Sequence, residues 1–150
     1  MTILLIEDSP DDAALLQRSL QRGGFRDELC VVRTAEQAID YLQGAAAFSD
    51  RSKFPYPMFI ILDLGLPGMS GLDFLNWLRQ QPLLVPTPVV VLTASPYVSD
   101  VGKAYELGAK TFFSKPLASA DIDRILKLIV DYWSASSLPP AKRPGKESRL

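Results

Sequence analysis

One short stretch limits the fold more than any other part of the sequence. Four bulky apolar residues, Phe59–Leu62, are followed at once by Asp63 and a turn rich in glycine and proline. Such a run is too short for an independent helix and is typical of a strand buried on both faces of a parallel sheet. Asp63 would then lie at the carboxyl edge of the sheet, where open α/β folds form their sites. Taken alone, Asp63 has a simpler interpretation as a residue that caps the turn.

Four further segments have the character of strands, and three of them end in groups that can do chemistry. They are Ile3–Ile6, Leu29–Val32, Pro88–Leu92 and Lys110–Phe113. Glu7 and Asp8 follow the first, Thr93 follows the fourth strand of the chain, and Lys115 comes shortly after the fifth. The second strand is short and flanked by charge, which predicts an edge position.

Amphipathic helices alternate with these strands. They are expected over residues 10–22, 35–43, 71–81 and about 97–107, with a long last helix from residue 119. Ser9 and Thr34 are predicted N-caps, since their side-chain oxygens can accept a free amide of the first turn. Residues 44–57 form a loop of unusual length, although Ala45–Phe48 could prolong the second helix.

Five strands alternating with five helices predict an α/β fold with a doubly wound parallel sheet and right-handed crossovers. With the flavodoxin-like strand order 2-1-3-4-5, a crevice opens at the carboxyl ends of the first and third strands. We expect one domain over residues 1–134. Residues 135–150 cannot bury enough apolar surface to fold, and we expect them to be a flexible basic tail without a role of its own.

Composition excludes several classes of site. The 150 residues include no histidine, which excludes histidine-based acid–base catalysis and histidine metal ligands, so any metal must bind oxygen. The lone Cys30 has no disulfide partner in the chain and is interpreted as a small core residue.

Charge and hydropathy limit the partners. Residues 1–134 contain 12 basic and 16 acidic residues, whereas the last sixteen residues carry a net charge of +3. An acidic body argues against nucleic acid as a partner. No apolar run approaches the roughly 18 residues of a membrane span, and the chain begins without the basic region of a signal peptide. We therefore expect a cytoplasmic protein with no membrane partner.

The predicted sheet brings Glu7, Asp8 and Asp63 to one edge. Three converging carboxylates repel one another and require either a cation or a protonated member. Oxygen ligands with room left for water and a phosphate match the preference of Mg²⁺. The alternative is three unrelated surface acids, each capping its own turn.

Thr93 and Lys115 end the neighbouring strands. A hydroxyl and an ammonium facing a metal-bound carboxylate would supply the donors that a transferring phosphoryl group requires. Asp63 would then be the nucleophile that forms an aspartyl phosphate. Individually, Thr93 could be a plain strand-end hydroxyl and Lys115 a solvated cation beside a turn.

As a set, these motifs resemble the receiver domain of two-component response regulators over about residues 2–134. The resemblance rests on Leu5–Ser9, on Ile61–Pro67 with Gly71 beyond it, on Val91–Ala94 and on Ser114–Pro116. It implies that Asp63 accepts phosphate from the phosphohistidine of a sensor histidine kinase.

The resemblance also implies a role for each matching residue. Asp8 would bind Mg²⁺ directly, Glu7 would bind it through water, and Asp63 and the Gly65 main-chain carbonyl would complete the ligands. Thr93, Ala94 and Lys115 would hold the phosphoryl oxygens, and the Lys115–Pro116 peptide bond would be cis. Thr93 and Phe112 would form the switch, although Phe112 could be a plain core aromatic that lacks the hydroxyl of a tyrosine.

The long loop and the absence of an output domain resemble stand-alone receivers paired with phytochrome-type or other hybrid sensor kinases. Such a protein is not an enzyme beyond its self-catalysed phosphotransfer and dephosphorylation. It would signal to a downstream protein through the face made by the fourth helix, the fifth strand and the fifth helix. Apolar residues on that face are also expected to support a homodimer.

Three other interpretations are weaker. An Asp-nucleophile phosphohydrolase would keep a second acid two residues after the nucleophile, where this chain has Gly65. A pseudo-receiver, which acts only as a binding module, would usually have lost an acid, the threonine or the lysine. A flavin-binding protein of this topology would need a phosphate-binding loop after Ile6.

Overall fold

The fold is seen in a computed structural model that describes residues 2–25, 29–82, 84, 87–94, 97–115 and 118–135. Five strands and five α-helices alternate along these residues. In chain order the elements are β1 (Ile3–Ile6), α1 (Pro10–Arg22), β2 (Leu29–Val32), α2 (Ala35–Gln43), a 3₁₀ turn (Ala46–Phe48), β3 (Phe59–Leu62), α3 (Gly71–Arg79), β4 (Val89–Thr93), α4 (Val98–Glu106), β5 (Thr111–Ser114) and α5 (Ser119–Ala135).

The five strands form one sheet in the order β2-β1-β3-β4-β5. All neighbours pair in parallel, with Ile6 opposite both Val32 and Leu62, and Thr93 opposite Ser114. This confirms the predicted fold class and the edge position of β2. Because the strands end at matching levels, the residues that follow β1 and β3 emerge side by side.

The core lies on both faces of the sheet. Every residue of β1 and β3 is buried, because successive side chains point to opposite faces and both faces are covered by helices. On one face Leu4 and Ile60 pack with residues of α2 and α3, and on the other Ile3 and Ile61 pack with residues of α1 and α5. This two-sided burial explains why these strands read as uninterrupted apolar runs.

The helix starts follow the predicted caps. The Ser9 side chain accepts the Asp12 amide at 3.3 Å, and the Thr34 side chain accepts the Gln37 amide at 3.1 Å.

Two helix ends differ from the expectation. α3 ends at Arg79 rather than at residue 81, because the coming Pro82 disfavours helical geometry at the residue before it. α5 includes Ala135, one residue beyond the expected domain end, and residues 136–150 of the predicted tail lie outside the described residues.

The long loop after α2 is tied to that helix and does not prolong it. Gly44 adopts a left-handed conformation with φ 65°, which ends α2, and Ala46–Phe48 form a separate 3₁₀ turn. The Arg51 guanidinium donates to the Tyr41 and Leu42 carbonyls, each at 2.7 Å. It thereby satisfies carbonyls at the end of α2 that have no partner within the helix.

α5 is the longest helix, and only one side of it is covered. Ile122, Leu126 and Ile129 are buried against the sheet, whereas Leu128 and Tyr132 are 64% and 65% exposed. In the part of the chain that the structure describes, no helix has both the length and the apolar character needed to cross a bilayer.

Candidate functional site

Three carboxylates meet where β1 and β3 end. One carboxylate oxygen from each of Glu7, Asp8 and Asp63 lies within 4.8 Å of the others. Glu7 and Asp63 lie at the same level of the sheet, because each continues the hydrogen bonding of its strand. The Glu7 amide donates to the Val32 carbonyl and the Asp63 amide to the Ile6 carbonyl, both at 3.0 Å. Glu7 is buried, Asp63 is half-buried and Asp8 is exposed. The structure thus brings the three predicted acids together.

Asp63 is held by two donors on one oxygen. Its Oδ1 accepts the Thr93 hydroxyl at 2.8 Å and the Gly65 amide at 3.1 Å. Thr93 is the last residue of β4 and is buried. The amide of Gly65 therefore faces the predicted nucleophile, while the role of its carbonyl as a metal ligand stays a prediction.

Lys115 lies just past β5, where its own amide bonds to the Thr93 carbonyl at 2.7 Å. Its ammonium pairs with the buried Glu7 carboxylate and with Asp12 Oδ2 at 3.0 Å, and it lies 3.8 Å from Asp63 Oδ2. All five side chains that sequence reasoning assigned to the chemistry are thus neighbours. Asp12 is an additional member, which the sequence analysis did not place in the site.

The two central carboxyls have opposite pKa shifts. Burial, aided by the hydrogen bond and the charge of neighbouring Asp63, raises the pKa of Glu7 to about 7. Burial also acts to raise the pKa of Asp63, but hydrogen bonds from Glu7, Thr93 and the Gly65 amide outweigh it and hold that pKa below its usual value. For Lys115, burial is outweighed by hydrogen bonds to Glu7 and Asp12, which raise its pKa. Without a cation, Glu7 is therefore the carboxyl of this pair that takes up a proton first as the pH falls through neutrality, and Asp63 stays ionised.

The donor set fits a hard divalent cation. When Glu7 is ionised, its buried Oε2 has no hydrogen-bond donor among the described residues, although it lies in the group of three acids. A buried acceptor without a donor is costly, and an oxygen-binding cation would satisfy it. Carboxylate oxygens around a partly open position are the ligands that Mg²⁺ and similar ions prefer.

The remaining predicted residues are placed less centrally. Ala94 is exposed and, with Asp12 and Lys115, borders a cavity of about 290 Å³. Phe112 is half-buried in β5 and packs against the core. The predicted cis bond at Lys115 involves Pro116, which lies outside the described residues.

Two contacts position the loop between Asp63 and α3. Gly71 is needed for close packing, since a Cβ there would lie 2.6 Å from Leu64 Cα and 2.7 Å from the Asp63 carbonyl oxygen. From α2, the Glu36 carboxylate accepts the Met69 amide at 3.1 Å. Backbone hydrogen bonds to that carboxylate lower the pKa of Glu36. Sequence reasoning missed Glu36, because its partner lies 33 residues away and no local pattern connects them.

The chain is similar to known proteins over nearly its whole length. A family model described as the response regulator receiver domain matches residues 3–127. Response regulator Rcp1 of Synechocystis is 34% identical over 139 residues, which are 93% of this chain and 92% of Rcp1. The Mn²⁺-bound structure of Rcp1 gives a TM-score of 0.79 over 93% of this chain and 99% of that one.

Two further crystal structures are similar. RPA3017, a response regulator in red light signalling of R. palustris, has a TM-score of 0.85 at 30% identity, covering 93% of this chain and 99% of its own. The phosphorylated cyanobacterial phytochrome response regulator RcpA has a TM-score of 0.81 at 29% identity, covering 93% and 98%. The site thus lies in a fold whose relatives are signalling proteins. It contains the acids that follow β1 and β3, Thr93 at the end of β4 and Lys115 just past β5. The chain is a member of the response regulator receiver domain family.

Proposed function

We propose that this protein accepts a phosphoryl group on Asp63 from the phosphohistidine of a sensor histidine kinase. The observation that carries the proposal is the environment of Asp63: an ionised, half-buried carboxylate bonded to the Thr93 hydroxyl, with the Lys115 ammonium 3.8 Å from its other oxygen. Such a carboxylate is a competent nucleophile. The hydroxyl and the ammonium are donors placed for the negative charge that arrives with the phosphoryl group.

In the proposed step, a carboxylate oxygen of Asp63 forms a bond to phosphorus while the phosphorus–nitrogen bond of the donor breaks and the imidazole leaves. Glu7, Asp8, Asp63 and the Gly65 carbonyl would hold the Mg²⁺ ion, which when bound offsets negative charge on the phosphoryl oxygens. Thr93, Ala94 and Lys115 would bind those oxygens. The chain would catalyse its own phosphorylation and dephosphorylation without turning over a substrate as an enzyme does.

The relatives support a particular type of donor and metal. RcpA is a phytochrome response regulator crystallised in its phosphorylated form, Rcp1 binds Mn²⁺ in its structure, and RPA3017 acts in red light signalling. We infer that the kinase partner of this chain is a phytochrome-type sensor kinase. The cytoplasmic location expected from the sequence stays a prediction.

The proposed output is a change in the face formed by α4, β5 and α5. Thr93 moving toward the phosphoryl group would be coupled to Phe112 on the neighbouring strand. Among the described residues, four large side chains on the two helices or at the N-cap of α4 support an interaction role, because they are largely exposed to solvent. They are Tyr97, Tyr105, Leu128 and Tyr132. A downstream protein or a second copy of the chain would bind there.

Acetyl phosphate with Mg²⁺ tests the acceptor directly. We expect intact-protein mass spectrometry to show one added phosphate on the wild type and on the control Asp73→Asn, which removes an exposed carboxylate in α3. Asp63→Asn should show none, because an amide oxygen is a poor nucleophile. Phosphate on Asp63→Asn would reject the assignment, and no phosphate on any protein would favour a binding module that works without phosphorylation.

A further inference from the structure

The Lys115 ammonium is held mainly by groups other than the predicted acceptor. It pairs with Glu7 and lies 3.0 Å from Asp12 Oδ2, but its 3.8 Å separation from Asp63 Oδ2 is too long for a hydrogen bond. The Lys115 side chain is only 16% exposed, so its positive charge is largely withdrawn from water. Two of its three N–H donors are therefore engaged by carboxylates before any phosphoryl group is present.

Asp12 is anchored in this position by the start of α1. The Ser9 hydroxyl accepts the Asp12 amide, and Pro10 begins the helix, so the first turn of α1 places the Asp12 carboxylate beside Lys115. Asp11 belongs to the same turn and is exposed, and in the described part of the chain it forms no ion pair. The contact with Lys115 is thus particular to Asp12 and does not follow from an acidic first turn.

We propose that Asp12 is a positioning residue that competes with the phosphoryl group for the Lys115 ammonium. This inference rests on the proposed function, since it concerns the lysine that would bind the phosphoryl oxygens. In the resting state Asp12 holds the ammonium beyond hydrogen-bond distance of Asp63. On phosphorylation, Lys115 exchanges the Asp12 carboxylate for a phosphoryl oxygen.

Removing the charge of Asp12 is expected to strengthen the binding of an anion at Asp63. A phosphoryl group brings further negative charge into a cluster that already contains Glu7, Asp8 and Asp63. A carboxylate 3.0 Å from the ammonium neutralises the charge that the phosphoryl group needs. Losing it both frees a donor of Lys115 and lowers the repulsion, so anion binding at Asp63 becomes stronger.

The test uses beryllofluoride with MgCl₂ as a phosphoryl mimic, and ¹⁹F NMR to measure its dissociation constant and the shifts of the bound fluorines. The variants are Asp12→Asn, its matched control Asp11→Asn and the conservative Asp12→Glu. The two asparagine variants remove the same charge from the same helical turn. Long-range charge and the helix dipole therefore affect the dissociation constants of the two variants equally, and these effects cancel when the variants are compared.

We expect Asp12→Asn to bind beryllofluoride about two- to fivefold more tightly than Asp11→Asn, the range of a partly exposed ion pair. The bound fluorine shifts should be those of the wild type in both asparagine variants, because in every bound state the Lys115 ammonium contacts the mimic in place of Asp12. Asp12→Glu should restore the affinity of the wild type. Equal affinities of the two asparagine variants, or weaker binding by Asp12→Asn, would overturn the inference. A wild type that shows no bound fluorine would instead reject the proposed function itself.

Discussion

Glu7 and Asp63 are neighbouring carboxyls whose environments push their pKa values apart. Glu7 is buried, with Lys115 on one oxygen and, in the ionised form, no hydrogen-bond donor among the described residues for the other. Asp63 is more open and accepts two hydrogen bonds, one from Thr93 and one from Gly65. Such a pair would keep Asp63 ionised for the proposed attack on phosphorus and leave Glu7 available to bind a cation.

The raised pKa of Glu7 predicts how stability depends on pH. In the unfolded chain the pKa of Glu7 is the ordinary 4.5, but in the folded protein burial raises it to about 7. Between these values the folded state binds more protons, so without divalent cations the free energy of unfolding falls as pH rises, by about 2 to 3 kcal/mol at most. Urea unfolding in EDTA at pH 5 and pH 7.5 measures this.

The matched variant is Glu7→Gln, which cannot ionise. Its free energy of unfolding should fall less than that of the wild type over the same interval. Adding MgCl₂ should restore part of the loss in the wild type, because a cation that binds the ionised form favours the folded state. A wild-type slope no steeper than that of Glu7→Gln would contradict the assignment of the proton to Glu7.

At the scale of secondary-structure elements, helices α2 and α3 hold the loops around the site in place. α3 begins at Gly71, whose amide donates to the Leu64 carbonyl at 3.0 Å, so the helix starts directly against the site loop. α2 contributes Glu36 to the Met69 amide. Arg51 ties the long loop to the end of α2. The helices thus determine the position of the turn that carries Gly65.

Gly71→Ala tests the close approach of α3 to the site loop. The added methyl group would lie 2.6 Å from Leu64 Cα, a backbone atom that cannot rotate away. We expect a loss of about 1 to 3 kcal/mol in the free energy of unfolding, as for overpacked interiors. Urea denaturation followed by circular dichroism provides the measurement.

Gly102→Ala is the control, since it lies inside α4 with no atom within 4 Å of the new Cβ. It should stabilise the protein by up to about 1 kcal/mol through helix propensity alone. Equal effects of the two substitutions would show that crowding at Gly71 is not what makes a glycine necessary there.

At the scale of the whole molecule, the two edges of the sheet differ. β2 exposes only Val31, at 38%, among its large apolar side chains, whereas the described part of the α4–β5–α5 side exposes four large side chains, from 47% to 65%. A groove on that side is lined by Phe113, Leu128, Tyr132 and Trp133. Apolar exposure concentrated at one edge is characteristic of an interaction surface.

Dimerisation through this surface can be measured by sedimentation velocity with and without beryllofluoride and MgCl₂. We expect the mimic to shift the wild type toward a dimer and Leu128→Ser to weaken that dimer about tenfold, since an apolar anchor leaves the interface. Val31→Ser, at the opposite edge, should dimerise as the wild type does. A dimer weakened equally by both substitutions, or a monomer in all conditions, would reject this face as the interface between two copies.

The order of elements was predictable because it depends on local patterns. Apolar runs of four or five residues identified the strands, and Ser9 and Thr34 identified helix starts through hydrogen bonds that span only three residues. In a parallel sheet the strand ends align, so the chemistry-bearing residues at those ends were predictable as neighbours as well. The two-residue error at the end of α3 is of the usual kind, since helix ends depend on weak terminal bonds.

By itself, the sequence determined the five strands and the residues that follow them, because two-sided burial and the alternation of strands with helices produce short-range patterns. Together with the flavodoxin-like strand order, these patterns predicted which five side chains meet at the carboxyl edge. Only the tertiary structure decided that Asp12 pairs with Lys115 across 103 positions of sequence and that Glu36 holds the Met69 amide. Such contacts join polar groups on separate elements. Their existence depends on how helices and loops are placed around the sheet, for which no local periodicity gives a signal.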